Sequence, residues 1–189
     1  HLCKRFGTKA AVISQENNFG LYLEGLKAGF IAQKNPPEIC REIPEDAWVV
    51  FDALSFNNYN NAATIIDDAE GWNGKSVRMG TKVDWNTSYT PSVRGKYRLL
   101  ASLRCEGTVK EGKLGSWGVY DPQGKKSLKS MVLHARDFAA EGGSLDQKFR
   151  WIDLGVIDFV PGAYFWFAHG HNPALDAIFV DRVVLIGAQ

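Results

Sequence analysis

The fold is decided by the closing segment, Arg150-Trp-Ile-Asp-Leu-Gly-Val-Ile-Asp-Phe-Val-Pro-Gly-Ala-Tyr-Phe-Trp-Phe-Ala-His-Gly-His-Asn172, with Leu175-Asp-Ala-Ile-Phe-Val-Asp-Arg-Val-Val-Leu-Ile186 behind it. It predicts three apolar strands, Phe149–Ile157, Ala163–Ala168 and Ala177–Ile186. A Pro161-Gly162 turn divides the first two, and Asp181 stands inward near the chain end.

Upstream, the same texture continues. Short β-rich runs alternate with turn clusters at Trp48–Ala53, Thr64–Ile66, Ser76–Gly80, Tyr97–Cys105, Ser116–Asp121 and Leu128–His134. The clearest is Tyr97–Cys105, where Tyr97, Leu99, Ala101, Leu103 and Cys105 share one face and Arg98, Ser102 and Arg104 the other. Asp121-Pro122-Gln123-Gly124 fits a type I turn joining two strands. Many short strands with frequent turns predict an antiparallel sandwich or barrel.

Before Ala47 the pattern differs. Residues 8–34 read as helical, with Phe19, Tyr22, Leu23, Leu26 and Phe30 on one face, although Gly20, Gly25 and Gly29 weaken the helix. Asn35-Pro36-Pro37 stops it, and residues 35–46 read as a linker. The expected organisation is a helical segment and linker at 1–46, connected to a preceding domain, and a β-domain at 47–189. The chain opens on His1 without a leading signal pattern, so we expect a piece of a longer protein.

The bulk numbers bound the function. The 189 residues suffice for one real core, and 45% hydrophobic against 23% charged marks a globular chain. A net charge of +1 argues against nucleic acid or an anionic membrane as partner. No apolar run reaches the roughly 18–20 residues of a membrane helix. Cys3, Cys40 and Cys105 form neither a disulfide framework nor a zinc pattern. Cys105 reads as a small buried hydrophobe, and a Cys3–Cys40 bridge is left open.

Several motifs suggest chemistry. Gly107–Lys113 has the spacing of a phosphate loop, but Leu114 stands where Ser or Thr is needed and no helix follows, so it reads as a solvated loop. Asp67-Asp68-Ala69-Glu70 could offer oxygens to calcium but reads first as a polar turn. His169 and His171 could bind a transition metal, although no third ligand is evident; with Asn172 they could instead hydrogen-bond sugar hydroxyls. Asn86-Thr87-Ser88 is a glycosylation sequon. No nucleophile elbow or metalloprotease motif is present, and Asp153, Asp158, Asp176 and Asp181 are candidates for paired-carboxylate catalysis only as spatial pairs.

The tryptophans discriminate best. Sugar rings have apolar C–H faces and polar rims, which aromatic platforms with a few polar partners suit. Trp72 and Trp85 lie in turn-rich segments, where an aromatic is harder to explain as core. Trp48, Trp117, Trp151 and Trp166 lie in predicted strands and read first as core or inter-sheet packing.

These residues carry a family resemblance. Ile66–Gly71, Ser76–Met79, Trp85, Gly95–Leu99, Gly118–Asp121, Trp151–Gly155 and Val180–Leu185 follow one another in order. The chain from about 47 to 187 resembles the C-terminal β-sandwich of large bacterial glycosidase-like proteins whose barrel is similar to α-glucuronidases. More loosely, it resembles family 6 and family 35 carbohydrate-binding modules. The resemblance implies a jelly-roll, galactose-binding-like sandwich and a secreted, periplasmic or surface location. It implies a role in holding glycans or packing on a catalytic domain of the same chain. In those modules a structural calcium sits where the first strand meets the last, which maps onto Asp52 and Asp181. Their Glu-rich opening is replaced here by Val50-Phe51-Asp52-Ala53. Their sugar site maps onto Trp85 and Asn172.

The expected function is therefore non-catalytic carbohydrate binding. Trp85 and Trp72 would stack on a sugar ring, while Asn172, His171 and Arg78 would hydrogen-bond hydroxyls or a carboxylate. The alternatives are a ligand-free structural accessory domain and a sandwich-fold glycan hydrolase or lyase.

Overall fold

The computed structural model describes residues 11–14, 47–58, 62–80, 85–140 and 143–188. Two sheets face each other. The larger holds β1 (Ala11–Ser14), β2 (Ala47–Asp52), β4 (Thr64–Asp67), β5 (Lys75–Met79), β7 (Gly95–Gly107), β10 (Arg150–Phe159) and β12 (Leu175–Gly187). The smaller runs in the order β3 (Asn57–Asn58), β6 (Thr87–Tyr89), β11 (Tyr164–Ala168), β8 (Lys113–Asp121) and β9 (Lys126–His134). Every pair is antiparallel except β1 with β2. The antiparallel β-sandwich expected from sequence is thus the fold.

The helix expected over 8–34 lies outside the described residues, apart from Ala11–Ser14. There the structure differs: Ala-Val-Ile-Ser is a strand paired with Ala47–Val50. Adjacent β-branched residues and an open sheet edge favour pairing over a helical turn.

Alternation predicts the core well. Tyr97, Leu99, Ala101, Leu103 and Cys105 of β7 are all buried between the sheets. Opposite them, Trp117 and Val119 of β8 and Phe165 and Phe167 of β11 close the core. Trp117 stacks on Phe167 with ring centroids 5.3 Å apart. Each such ring or branched side chain contributes roughly 1.5–3 kcal/mol by leaving water.

The turns behave as their residues dictate. Asp121 Oδ1 accepts from the backbone N–H groups of Gln123 and Gly124, both at 3.0 Å, closing the β8–β9 hairpin. At Pro161-Gly162 the Ala163 N–H donates to Val160 at 3.1 Å, and Gly162 takes φ 81°, which an L side chain resists. This turn carries the chain from one sheet to the other. β11 becomes the middle strand of the small sheet, and β12 bonds to β2, β5 and β7 in the large one.

A bulge in β12 shifts which side chains face the core. In β12, Asp181 is extra relative to β7, where Leu103 pairs Val180 but Ser102 pairs Arg182. The core-facing set changes from Ile178 and Val180 to Val183 and Leu185. Asp181, expected inward, is buried instead on the outer side of the sheet, beside Arg182.

Candidate functional site

The outward face of the small sheet follows from its register. Phe165 and Phe167 point to the core, so Tyr164, Trp166 and Ala168 point out. Trp166 lies opposite Gly118 on one side and Ser88 on the other; Gly118 pairs Ser130, and Ser88 pairs Asn57. One row across all five strands is therefore Ser130, Gly118, Trp166, Ser88, Asn57. The next row holds Ser127, Tyr120 and Tyr164, and the row on the other side Val132, Ser116 and Ala168. An indole sits at the centre, among small uncharged residues.

Gly118 is a necessary part of that bed. A Cβ there would lie 2.4 Å from the Lys129 carbonyl oxygen and 2.8 Å from the Ser130 Cβ, so β8 and β9 approach too closely for a side chain.

Trp85 joins this face from upstream. Its ring centroid is 5.2 Å from that of Tyr164 and 6.0 Å from that of Trp166, the two indoles inclined by 29°. Tyr120 continues the strip at 5.6 Å from Tyr164. All four rings are half-buried, leaving part of each to solvent.

The next residue anchors Trp85. Asn86 is fully buried; its Nδ2 donates to the Ala62 carbonyl at 2.7 Å, and its Oδ1 accepts from the His169 N–H at 2.8 Å. Its own N–H donates to Phe167 at 3.0 Å. The sequon is thus an interior clamp, with its amide sequestered in the fold. His169 belongs to the same clamp: it is buried, with Nδ1 3.0 Å from the Gly170 carbonyl.

The other expected ligand residues divide between two places. His171 is exposed in the loop after β11. Asn172 in that loop donates to the Lys113 carbonyl at 3.0 Å and accepts from the Ala174 N–H at 3.0 Å, so its amide holds the loop against β8. Trp72 and Arg78 lie on the outer side of the large sheet, the opposite face of the sandwich from Trp85. Arg78 pairs Phe179 on β12, between the core-facing Val77 and Met79. Trp72 donates its backbone N–H to Asp181 Oδ1 at 2.7 Å and carries the Arg182 guanidinium 4.2 Å above its ring.

That outer side is a layer of arginines paired with carboxylates. Arg182 lies between Trp72 and Trp151 and meets Asp181 Oδ2 at 2.9 Å. Arg104 lies between Phe179 and Phe149, bonded to Asp68 at 2.8 Å and Glu106 at 2.9 Å. Asp68 also accepts from Ser76 Oγ at 2.6 Å. Burial raises the Asp181 carboxyl, against Arg182, the Trp72 N–H and Ser102, which lower it; nearby Asp68 adds to the rise. Burial also lowers Arg182, against the pull of Asp181.

The calcium mapping can be tested against this geometry. Asp52 accepts from the Leu54 N–H at 3.1 Å and from Asn73 Nδ2 at 3.2 Å. Asp181 divides its oxygens between Trp72 and Arg182. A guanidinium already balances the charge where a cation would be needed, so the two carboxylates as arranged do not fit calcium. Among the described residues, no group of three or more His, Cys, Asp or Glu converges on a metal position.

Two strand tryptophans expected in the core are elsewhere. Trp151 is on the outer side of the large sheet under Arg182, and Trp166 is on the outer side of the small one; Trp117 alone of these three is core. Sequence reasoning also missed Tyr164 and Tyr120. The alternation Tyr164-Phe165-Trp166-Phe167 was the available signal, but both its faces are aromatic.

No family model matches this sequence, and no curated protein matches it. Solved structures share its fold. It is similar to the mosquito-larvicidal Cry4Aa toxin of Bacillus thuringiensis, with TM-score 0.52 and 10% identity over 79% of this chain and 25% of that one. It is similar to the Agl-KA catalytic domain, with TM-score 0.52 and 12% identity over 85% of this chain and 30% of that one. The Podospora anserina GH26-CBM35 β-(1,4)-mannanase gives TM-score 0.50 and 9% identity over 75% of this chain and 28% of that one. This chain therefore spans only 25% to 30% of the length of these proteins. Identities this low carry the architecture alone, an antiparallel β-sandwich that recurs within larger proteins of different activity.

Proposed function

We propose that this chain binds carbohydrate without turning it over, as a module of a larger, extracellular glycan-processing protein. The observation that carries the reading is the strip of Trp85, Trp166, Tyr164 and Tyr120 on the outward face of the small sheet. Half-exposed rings offer apolar surface to sugar C–H faces, and the exposed Ser127, Ser130 and Asn57 offer partners for hydroxyls. Those outward residues can stack and hydrogen-bond, but they cannot perform paired-carboxylate hydrolysis. His171, exposed in the loop that follows β11, is the polar side chain we add to the site; Asn172 supports it by fixing that loop. Trp72 and Arg78 belong to the other face and leave the proposed site. The mannanase that shares this fold couples, in its own name, a glycoside hydrolase to a carbohydrate-binding module, which supports an accessory role.

A single open face recovers little beyond the entropy cost of association, so affinity for one oligosaccharide is expected to be weak, and tethering to an enzyme would raise it through effective concentration. The test is affinity electrophoresis and calorimetry of this chain against a polysaccharide panel, repeated with Trp166→Ala and Trp85→Ala. Binding to at least one glycan, weakened at least tenfold by Trp166→Ala, is expected. Binding to none of them, or equal binding by both variants, would sink the proposal.

A further inference from the structure

Resting on that reading, we infer that the glycan held on the small-sheet face carries an anionic group, a carboxylate or a sulfate ester, which Lys113 and His134 receive at one end of the aromatic strip. The β8–β9 register places them there. Trp117 pairs Met131 and Gly115 pairs Leu133 on the core side. Gly118 with Ser130, Ser116 with Val132, and then Lys113 with His134 are therefore the outward pairs. Leu114 is the extra residue of a bulge and stays in the core, so Lys113 keeps the outward side beside His134. The loop after β11 lies against this end, since Asn172 donates to the Lys113 carbonyl at 3.0 Å.

Lys113 is exposed, and among the described residues no carboxylate forms an ion pair with it. The arginines are answered within the protein: Arg98 by Asp153, Arg104 by Asp68 and Glu106, Arg150 by Asp146 and Arg182 by Asp181. The acids nearest Lys113 and His134 along the chain do not take this role. Asp137 accepts the His134 backbone N–H at 2.8 Å and lies 3.9 Å from Arg136 Nε. Glu111 is exposed in the loop that enters β8.

An ammonium and an imidazole N–H side by side offer an anion charge-assisted hydrogen bonds, roughly twice as strong as those to a neutral hydroxyl. Four residues of β9, about 13 Å, separate His134 from Ser130 in the row of Trp166. The rings and the cation thus engage different sugars of one chain. A neutral glycan gains the stacking alone, whereas an acidic one gains both, and only the second contribution is screened by salt.

The experiment is affinity electrophoresis of this chain in gels containing mannan or xylan, against polygalacturonate, alginate or a sulfated galactan, at about 20 and about 500 mM NaCl, where the Debye length shrinks severalfold. At low salt an acidic polymer should retard the chain at least tenfold more strongly than a neutral one, and high salt should shrink that preference. Lys113→Gln keeps the carbonyl that holds Asn172; it should remove at least fivefold of the preference and leave neutral retardation unchanged. Trp166→Ala should weaken both classes. The uronates against the galactan distinguish carboxylate from sulfate, and preference for either upholds the inference. Equal retardation by both classes, a preference that survives Lys113→Gln, or acidic retardation untouched by Trp166→Ala overturns it and leaves carbohydrate binding standing. Retardation by no polymer overturns the carbohydrate reading beneath it.

Discussion

The two outer faces of this sandwich both carry tryptophan, and they use it differently. On the large sheet, Trp72 and Trp151 have the Arg182 guanidinium between them, and Phe179 and Phe149 hold Arg104. The guanidiniums are closed by buried carboxylates, so ring faces and charges are already matched within the protein. On the small sheet, the contacts described among Trp85, Trp166, Tyr164 and Tyr120 are ring to ring. An aromatic residue near the surface is therefore not a binding signal by itself. What matters is whether the protein has already supplied the partner for its π face.

The sharpest break in this comparison is Arg182→Met. It leaves Asp181 buried and unpaired beneath Trp72, and should cost about 3–5 kcal/mol in urea unfolding. Glycan binding per folded molecule should not change. A loss below about 1 kcal/mol would mean that the large-sheet layer is ordinary solvated surface.

Next in size is the reciprocal pair. Trp166→Ala should weaken glycan binding at least tenfold, by about 1.4 kcal/mol or more, in calorimetry. Trp72→Ala should leave binding intact and lower the unfolding midpoint instead. If Trp72→Ala alone abolished binding, the two faces would have been assigned the wrong way round.

A smaller effect follows from titration. Burial raises Asp146, but its bonds to Arg150 and the Lys148 N–H and the charges of both residues outweigh this, leaving it below the usual carboxylate range. For Asp153 burial is likewise outweighed, by Arg98, the Gly155 N–H and Lys129. Lowered carboxylates contribute stability that is present above the unfolded value of about 4 and lost as pH falls through the folded one. Asp181 has the opposite sign: its raised value makes it cost stability as pH rises from the unfolded value through the folded one. Urea midpoints should therefore fall as pH drops below about 4, whereas the Asp181 contribution raises them only on the way down to that value. Asp153→Asn should flatten the acid limb; an unchanged limb would remove Asp153 from this account.

The smallest expected effect is that of calcium. With Arg182 already on Asp181, neither added calcium nor a chelator should move the thermal midpoint by more than about 1 °C, less than a 1 kcal/mol change would produce. A larger stabilisation by calcium would show that Asp52 and Asp181 can rearrange to bind it.

Much of the scaffold was legible because its signals are local. The five alternating residues of β7 all reach the core, Asp121 caps its own turn, and Pro161-Gly162 turns where it should. β3 and β6 were not legible, since two and three residues are too few to show a period. Asn86-Thr87-Ser88 read as a sequon, and its last two residues lie in β6 beside β11. The site was half legible. Trp85 stood out because it lies in a turn-rich stretch, whereas Trp166 was masked by a run in which every residue is apolar.

The sequence by itself determined that this chain makes an antiparallel sandwich, because alternation and turn chemistry act over a few residues. Only the tertiary structure decided which side of each strand meets water. A bulge such as that at Asp181 reverses the alternation beyond it, and an all-apolar strand such as β11 gives no parity to read. Trp85 and Trp166 lie far apart along the chain, and they meet because β6 pairs β11 and Asn86 clamps the join. Composition records how many aromatic residues there are; strand register decides whether they meet an arginine or water.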